Sequence, residues 1–352
     1  MFESIPMRWE NLQLHQGEAE AATLPLGLPG AVVRTFDTPD FKGITCYEIR
    51  AKSIINRVPG SSRMAFQWTL NPYRGCTHAC NYCFARKTHT YLDLDSGHDF
   101  DSRIIVKVNA AELLRKELAA ASWRGDALAM GTNVDPYQRA EGRYKLMRGI
   151  LGTLRDYANP FSILTKGTLV LRDLDLLTDA ASRASVRVSV SVGFVDQSLW
   201  RQVESSAPSP QARLRVCRTL ADAGVGSGVL MAPILPFLTD SDEQLEATVA
   251  AIAEAGADSV TPIVLHLRPG AREWYLGWLG GARPDLIPRY ERLYGRGAYA
   301  ASGYSKAITE RVKELAAAYG IGGRRPSESR LTPPVATAAA PPRPDDVQLS
   351  LL

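Results

Sequence analysis

Three cysteines fall within eight residues, Cys76, Cys80 and Cys83, spaced C-x3-C-x2-C in the run Asn71-Pro72-Tyr73-Arg74-Gly75-Cys76-Thr77-His78-Ala79-Cys80-Asn81-Tyr82-Cys83-Phe84-Ala85-Arg86. Thiolates are soft ligands that select zinc, copper(I) or iron–sulfur clusters. Asn71-Pro72 and Gly75 supply the turn chemistry that lets a short loop aim several sulfurs inward. The other two of the five cysteines, Cys46 and Cys217, lie far away in sequence. A closed structural zinc site takes four ligands, and electron-carrying clusters generally take four cysteines. The loop therefore leaves one metal position without a local protein ligand. A zinc site of the three thiols plus His78 or His89 is the alternative reading.

The elements that must position this loop can be read by periodicity. At 352 residues and 45% hydrophobic, the chain can fill a full-sized core as one large domain or two. Phe66-Gln67-Trp68-Thr69-Leu70 reads as a short strand running directly into the cysteines. Strands and helices then alternate. Helical spacing around Leu113 to Leu118, at Met147, Ile150, Leu151 and Leu154, around Leu174 to Ala181, and from Ala212 to Ala223 separates strands at Leu128–Thr132, Phe161–Thr165, Val186–Val192 and Val229–Ala232. A capping box, Ser241-x-x-Gln244, opens the next helix, and Val260 to Leu265 closes the series. Repeated units of this size imply a parallel sheet, with six strands counted from Phe66.

The cysteine spacing, with Tyr82 as the aromatic before the last cysteine, resembles the signature of the radical S-adenosylmethionine (SAM) superfamily. The Asn-Pro-Tyr-Arg-Gly-Cys lead-in, the Cys-Phe-Ala-Arg exit, Gly131 to Glu141, Thr165-Lys166-Gly167 and Ala232 to Pro236 resemble its spore photoproduct lyase-like, "DNA repair photolyase" branch, from about Ala51 to about Leu267. The resemblance implies an α/β fold: a partial (β/α)6 TIM-type barrel over residues 61–268, with an N-terminal leader over 1–60 and a C-terminal helical extension over 269–321. Chemistry in such barrels gathers at the C-terminal ends of the strands. It further implies a 4Fe–4S cluster held by Cys76, Cys80 and Cys83. SAM would chelate the open iron, and Tyr82 would pack on its adenine. An electron from a reductant such as flavodoxin or ferredoxin would then cleave SAM to a 5′-deoxyadenosyl radical that abstracts hydrogen from substrate.

Carried over position by position, the resemblance makes Lys166 a charge partner of the SAM carboxylate, and Asn133, Asp135, Ser189 and Ser191 hydrogen-bonding groups for its amino group or ribose. On the residues alone, Lys166 reads equally as a solvated strand-end charge, Asp135 as a turn-former before Pro136, and the serines as ordinary strand positions. Glu204 and Arg213 also match the branch and read as an ion pair that fixes a loop. One position departs. Where spore photoproduct lyase carries a cysteine that returns a hydrogen atom to thymine, this chain has Thr132, whose O–H bond is too strong for that step.

The flanks say less. Residues 1–42 show little periodicity, and Ile44-Thr45-Cys46-Tyr47-Glu48-Ile49 reads as a strand with Cys46 a buried small hydrophobe. No signal peptide or 18-residue apolar run is visible, and an odd cysteine count argues against a disulfide framework, so a cytoplasmic protein without a membrane anchor is expected. A net charge of +4 permits an anionic partner such as nucleic acid. Trp274, Tyr275, Trp278 and Leu279 mark a helix, and Tyr290, Tyr294 and Tyr299 interleave with Arg289, Arg292 and Arg296. That pattern serves nucleic acid stacking or an aromatic core face with a solvated basic one. Residues 322–352 read as a disordered Pro/Ala-rich tail. Its end, Gln348, Leu349, Ser350, Leu351 and Leu352, resembles the peptide by which bacterial repair proteins dock on the sliding clamp. The expected activity is SAM cleavage in nucleic-acid repair or modification. Modification of a peptide or small metabolite, or a non-catalytic zinc or iron–sulfur protein, are the alternatives.

Overall fold

A computed structural model of the chain describes residues 31–59 and 64–322; the clamp-type peptide lies outside these residues. In chain order the strands are β1 (Val32–Thr35), β2 (Thr45–Ile49), β3 (Ile55–Arg57), β4 (Trp68–Leu70), β5 (Tyr73–Arg74), β6 (Arg103–Lys107), β7 (Leu128–Met130), β8 (Phe161–Thr165), β9 (Val186–Ser191), β10 (Gly226–Ile234) and β11 (Val260–Val264). The large sheet runs β11-β10-β9-β8-β7-β4-β3. Its six strands from β4 to β11 pair in parallel, and β3 closes the edge antiparallel to β4. These six strands and the helices between them are those that the hydrophobic periodicity marks, because a parallel sheet covered by helices needs apolar runs.

Alternation along β9 shows how the barrel sorts its side chains. Val188 and Val190 are buried in the main core with Leu177, Leu214 and Leu220 of the covering helices Leu174–Ala181 and Pro210–Asp222. Arg187, Ser189 and Ser191, on the opposite face by strand geometry, line the interior. The predicted capping box forms at the start of Asp242–Glu254, with the Gln244 amide accepted by the Ser241 hydroxyl and the Ser241 amide by the Gln244 side chain.

Residues 31–59 carry more regular structure than the sequence reading gives them. Val32–Thr35 is a strand antiparallel to Thr45–Ile49, and Arg103–Lys107, a strand the periodicity missed, lies parallel to Thr45–Ile49 on its other side. With β5 they make a second sheet in the order β1-β2-β6-β5. Val32–Thr35 is only four residues long and pairs with the next strand, while Arg103–Lys107 pairs with segments distant in sequence, so no local pattern announces either. The sheet matters to the site because β5 is the lead-in to Cys76. Past the barrel come helices Ala271–Ala282, Ile287–Tyr294 and Ser302–Ala318. No helix among the described residues is long and apolar enough to cross a membrane.

Candidate active site

The cysteine loop leaves the C-terminal end of β4 and is shaped by contacts that do not involve its sulfurs. Gly75 sits at φ 83°, and a Cβ there would lie 2.8 Å from the His89 ring and 3.0 Å from the carbonyls of Arg103 and Phe100. Only glycine meets both demands. Gln138, fully buried, donates to the Gly75 carbonyl (2.9 Å) and accepts from the Thr77 amide (2.9 Å), so it brackets Cys76 from both sides. Arg86, also fully buried, donates to the Cys80 carbonyl (3.0 Å), to the Gly97 carbonyl (2.8 Å) and to both oxygens of Asp101 (2.9 Å each), with its guanidinium 4.7 Å from the Trp274 ring. The Asn81 amide donates to the Val203 carbonyl at 3.0 Å. Cys76 and Cys80 are buried and Cys83 is half-buried; burial pushes all three thiols above their ordinary pKa.

Beside the loop lies a buried polar network. The Tyr82 hydroxyl donates to one oxygen of Glu204, and Arg213 donates to the other and to the Ser191 carbonyl (2.6 Å). Glu204 and Arg213 are essentially sealed from solvent. They are the predicted ion pair, and it fixes an aromatic side chain as well as a loop. Burial raises the Glu204 carboxyl while Arg213 pulls it back. Lys166, at the end of β8, donates to the Ser191 hydroxyl at 2.5 Å; its ammonium is 3.8 Å from Glu204 and 5.7 Å from the Tyr82 ring centroid. Burial lowers the Lys166 pKa and the neighbouring Cys80 sulfur opposes this. Lys166 is therefore a largely desolvated cation facing the cysteine loop, unlike a solvated strand-end charge.

The remaining predicted residues divide. Asp135 already holds three donors, Thr165 Oγ1 (2.6 Å), the Lys166 amide (2.6 Å) and the Tyr137 amide (2.9 Å), and His78 Nε2 lies 3.2 Å away without hydrogen-bond alignment. Burial would raise its carboxyl, yet His78 and these donors hold it below the usual range. Asp135 thus locks the loop after β7 onto the end of β8. Asn133 is exposed, and Ser189 is half-buried two residues deeper on the face of Ser191. Thr132, just past β7, has a buried hydroxyl with no partner. Gly131 before it, at φ 85°, passes so close to the Leu164 carbonyl that a Cβ would meet it at 1.9 Å, which ties the two strand ends together.

Sequence reading missed Gln138 and Arg86 as loop supports, and also Glu141. Glu141 is fully buried and accepts from the Tyr73 hydroxyl (2.5 Å), Arg172 (2.5 Å) and the amides of Leu146 (3.0 Å) and Met147 (3.1 Å). The one available signal was their place inside segments that matched as blocks.

Three thiols on one short loop, with a desolvated lysine and an aromatic ring beside it, are of the ligand types that an iron–sulfur cluster with an anionic ligand would take, although among the described residues no three Cys, His, Asp or Glu groups stand close enough together to hold a metal ion. Of the histidines of the zinc alternative, His78 Nε2 lies 3.2 Å from Asp135 and His89 Nε2 lies 2.9 Å from the Arg103 carbonyl, while His89 Nδ1 is buried without a partner. Cys46 is buried in an apolar cluster with Tyr73, Phe100 and Cys76, as its sequence context predicts.

Comparison with known proteins agrees with this arrangement. Residues 70–260 match the family model described as the Radical SAM superfamily. The chain is 48% identical to an uncharacterized protein of Mycobacterium bovis over 90% of its own length and 93% of that protein's. It is 30% identical to an uncharacterized protein of Methanocaldococcus jannaschii over 56% of this chain and 70% of that one. Among solved structures, a point mutant of spore photoproduct lyase superposes with a TM-score of 0.60 at 17% identity, covering 78% of this chain and 79% of that one. Spore photoproduct lyase complexed with a dinucleoside spore photoproduct gives a TM-score of 0.58 at 16% identity, covering 78% and 79%. These likenesses make the fold that of the partial barrel, and with the family match over more than half its length the chain belongs to the radical SAM superfamily.

Proposed function

We propose that the protein is a radical SAM enzyme that holds a 4Fe–4S cluster on Cys76, Cys80 and Cys83, binds SAM beside it, and acts on nucleic acid in repair or modification. The observation that carries the chemistry is the placement of Lys166: a buried ammonium on the barrel's inner wall, near Cys80 and over the Tyr82 ring. When bound and reduced by a carrier such as flavodoxin or ferredoxin, the cluster supplies the electron that cleaves SAM. The chain's own part is to orient and to exclude water. Lys166 would meet the SAM carboxylate with a charge-assisted hydrogen bond. The Tyr82 ring, its hydroxyl anchored on Glu204, would pack against the adenine. Ser191, Ser189 and Asn133 would supply polar contacts, whereas Asp135 would act by holding the backbone of Lys166.

Support for a nucleic-acid substrate is the fold shared with a lyase solved with a dinucleoside photoproduct. Thr132 at the end of β7 argues against the thymine-restoring reaction itself, for want of a sulfur there. Five free cysteines fit a reducing compartment, in keeping with a cytoplasmic enzyme. The test is direct. The protein, purified and reconstituted without oxygen, should turn brown and release 5′-deoxyadenosine from SAM on addition of dithionite, and Cys83→Ala should lose both properties. A fully cluster-loaded preparation that releases none would refute the proposal.

A further inference from the structure

The aromatic residues past the barrel serve two purposes, and the division between them is spatial. Tyr275, Tyr290 and Tyr294 are buried and mutually packed; Tyr290 donates to the Pro236 carbonyl (2.7 Å) and Tyr294 to the Leu265 carbonyl (2.8 Å). They form a core. Tyr299 is 57% exposed and Phe84 is 44% exposed, yet the two sit at either side of one exposed arginine. The Arg268 guanidinium lies 5.5 Å from the Phe84 ring, and its NH2 group approaches the Tyr299 hydroxyl at 3.4 Å. The Tyr299 ring packs edge-on against His266 at 4.7 Å, just beyond the C-terminal end of β11.

This ledge is held in place, although it makes few contacts of its own. Arg272 donates to the carbonyls of Gly295 (2.7 Å) and Gly297 (2.9 Å), and Leu267 donates to the Ala298 carbonyl (2.8 Å), which fixes the loop carrying Tyr299. Among the described residues, Arg268, Lys87 and Arg296 have no ion-pair partner. Lys87 is exposed beside Gly270, and Arg296 is exposed in the Tyr299 loop. Protein interfaces also enrich Phe, Tyr and Arg but deplete lysine; what sets this patch apart is that its exposed cations, Lys87 included, stand together without acidic partners, as a phosphate backbone requires. Rings and cations together match a polyanion whose unstacked bases offer π-faces.

We propose that Phe84, Arg268 and Tyr299 form a ledge on which an unstacked base of single-stranded or locally opened nucleic acid docks, with Lys87 and Arg296 positioned for its phosphates. The inference rests on the function proposed above and specifies its partner. Phe84 directly follows Cys83, so a base on the ledge is led to the edge of the cysteine loop. Duplex with all its bases stacked offers the ledge only phosphates and should bind more weakly.

The test uses the full-length, cluster-loaded chain with SAM and a short fluorescein-labelled single-stranded DNA, followed by anisotropy. The strand should bind more tightly than its duplex, with an affinity that falls steeply as salt rises. Tyr299→Ala should weaken single-strand binding by about 5- to 100-fold, the range for loss of one stacked base. Tyr299→Phe should retain most of it and Arg268→Ala should also weaken it. Tyr319→Ala, at an exposed tyrosine just past helix Ser302–Ala318, should change nothing. Unchanged melting curves would exclude misfolding as the cause. Binding by the wild type that survives Tyr299→Ala and Arg268→Ala overturns the ledge, as does a loss of flavodoxin binding in these variants with no loss of DNA binding. Wild type that cleaves SAM but binds no strand also overturns the ledge and leaves the radical chemistry standing. DNA binding without SAM cleavage does the reverse.

Discussion

The Tyr82 hydroxyl donates to Glu204, a carboxylate that lies more than a hundred residues further along the chain and is paired behind it with Arg213. One aromatic side chain of the cysteine loop is therefore oriented by a buried charge pair contributed by the segment that follows β9. Removing one member of such a pair strands the other. Arg213→Met should destabilise the protein by about 3–5 kcal/mol in urea denaturation. Glu204→Leu combined with Arg213→Met should recover most of that loss. The double variant should still bind SAM less tightly, because Tyr82 is then free to turn.

Lys166 supports a prediction of the opposite kind. Its charge is desolvated, so Lys166→Met removes an unfavourable burial and should leave the unfolding midpoint unchanged or raised. If the ammonium meets the SAM carboxylate, affinity for SAM should fall by about 10- to 100-fold, the worth of a hydrogen bond to a charged group. Equilibrium dialysis of cluster-loaded protein with labelled SAM measures it.

Gln138 satisfies one carbonyl and one amide that flank Cys76 and have no water to turn to. Gln138→Ala should cost roughly 2–4 kcal/mol, from two unsatisfied backbone groups. Iron content after reconstitution should fall with it, while a variant at an exposed position of equal stability loss should keep its iron.

Gly75→Ala combines a left-handed backbone with a collision against His89 and two carbonyls. The backbone conformation alone should cost about 1–3 kcal/mol. Unfolding in urea should register at least that, with more from the collision.

Glu141 gives the pH dependence. Burial pushes its carboxyl up to about 7 against the pull of Arg172. Because the folded value lies above the unfolded one, the stabilising contribution is complete below about pH 4.5 and is lost as pH rises through about 7. The full span amounts to roughly 3 kcal/mol. Urea midpoints measured across that interval should drop for the wild type and stay flatter for Glu141→Gln.

The six parallel strands were legible because burial on both faces writes apolar runs into the sequence, as in Leu128–Met130, and the cysteine spacing pointed to the superfamily that the chain belongs to. Lys166 and Tyr82 were legible only through a family pattern. The strands at Val32–Thr35 and Arg103–Lys107 were not, since the first is too short to show a period and the second is defined by partners distant in sequence. Gln138 and Arg86 escaped for a related reason. They act on backbone atoms, which every residue possesses, so nothing at the receiving end marks the match.

The bonds from Gln138, Arg86 and Asn81 grip the cysteine loop by its backbone and leave its sulfurs out of the holding. Loop shape thereby does not depend on a metal being present. A chain stripped by oxygen should keep its form, inactive but reparable, and recover by reloading from an iron–sulfur donor without passing through the unfolded state.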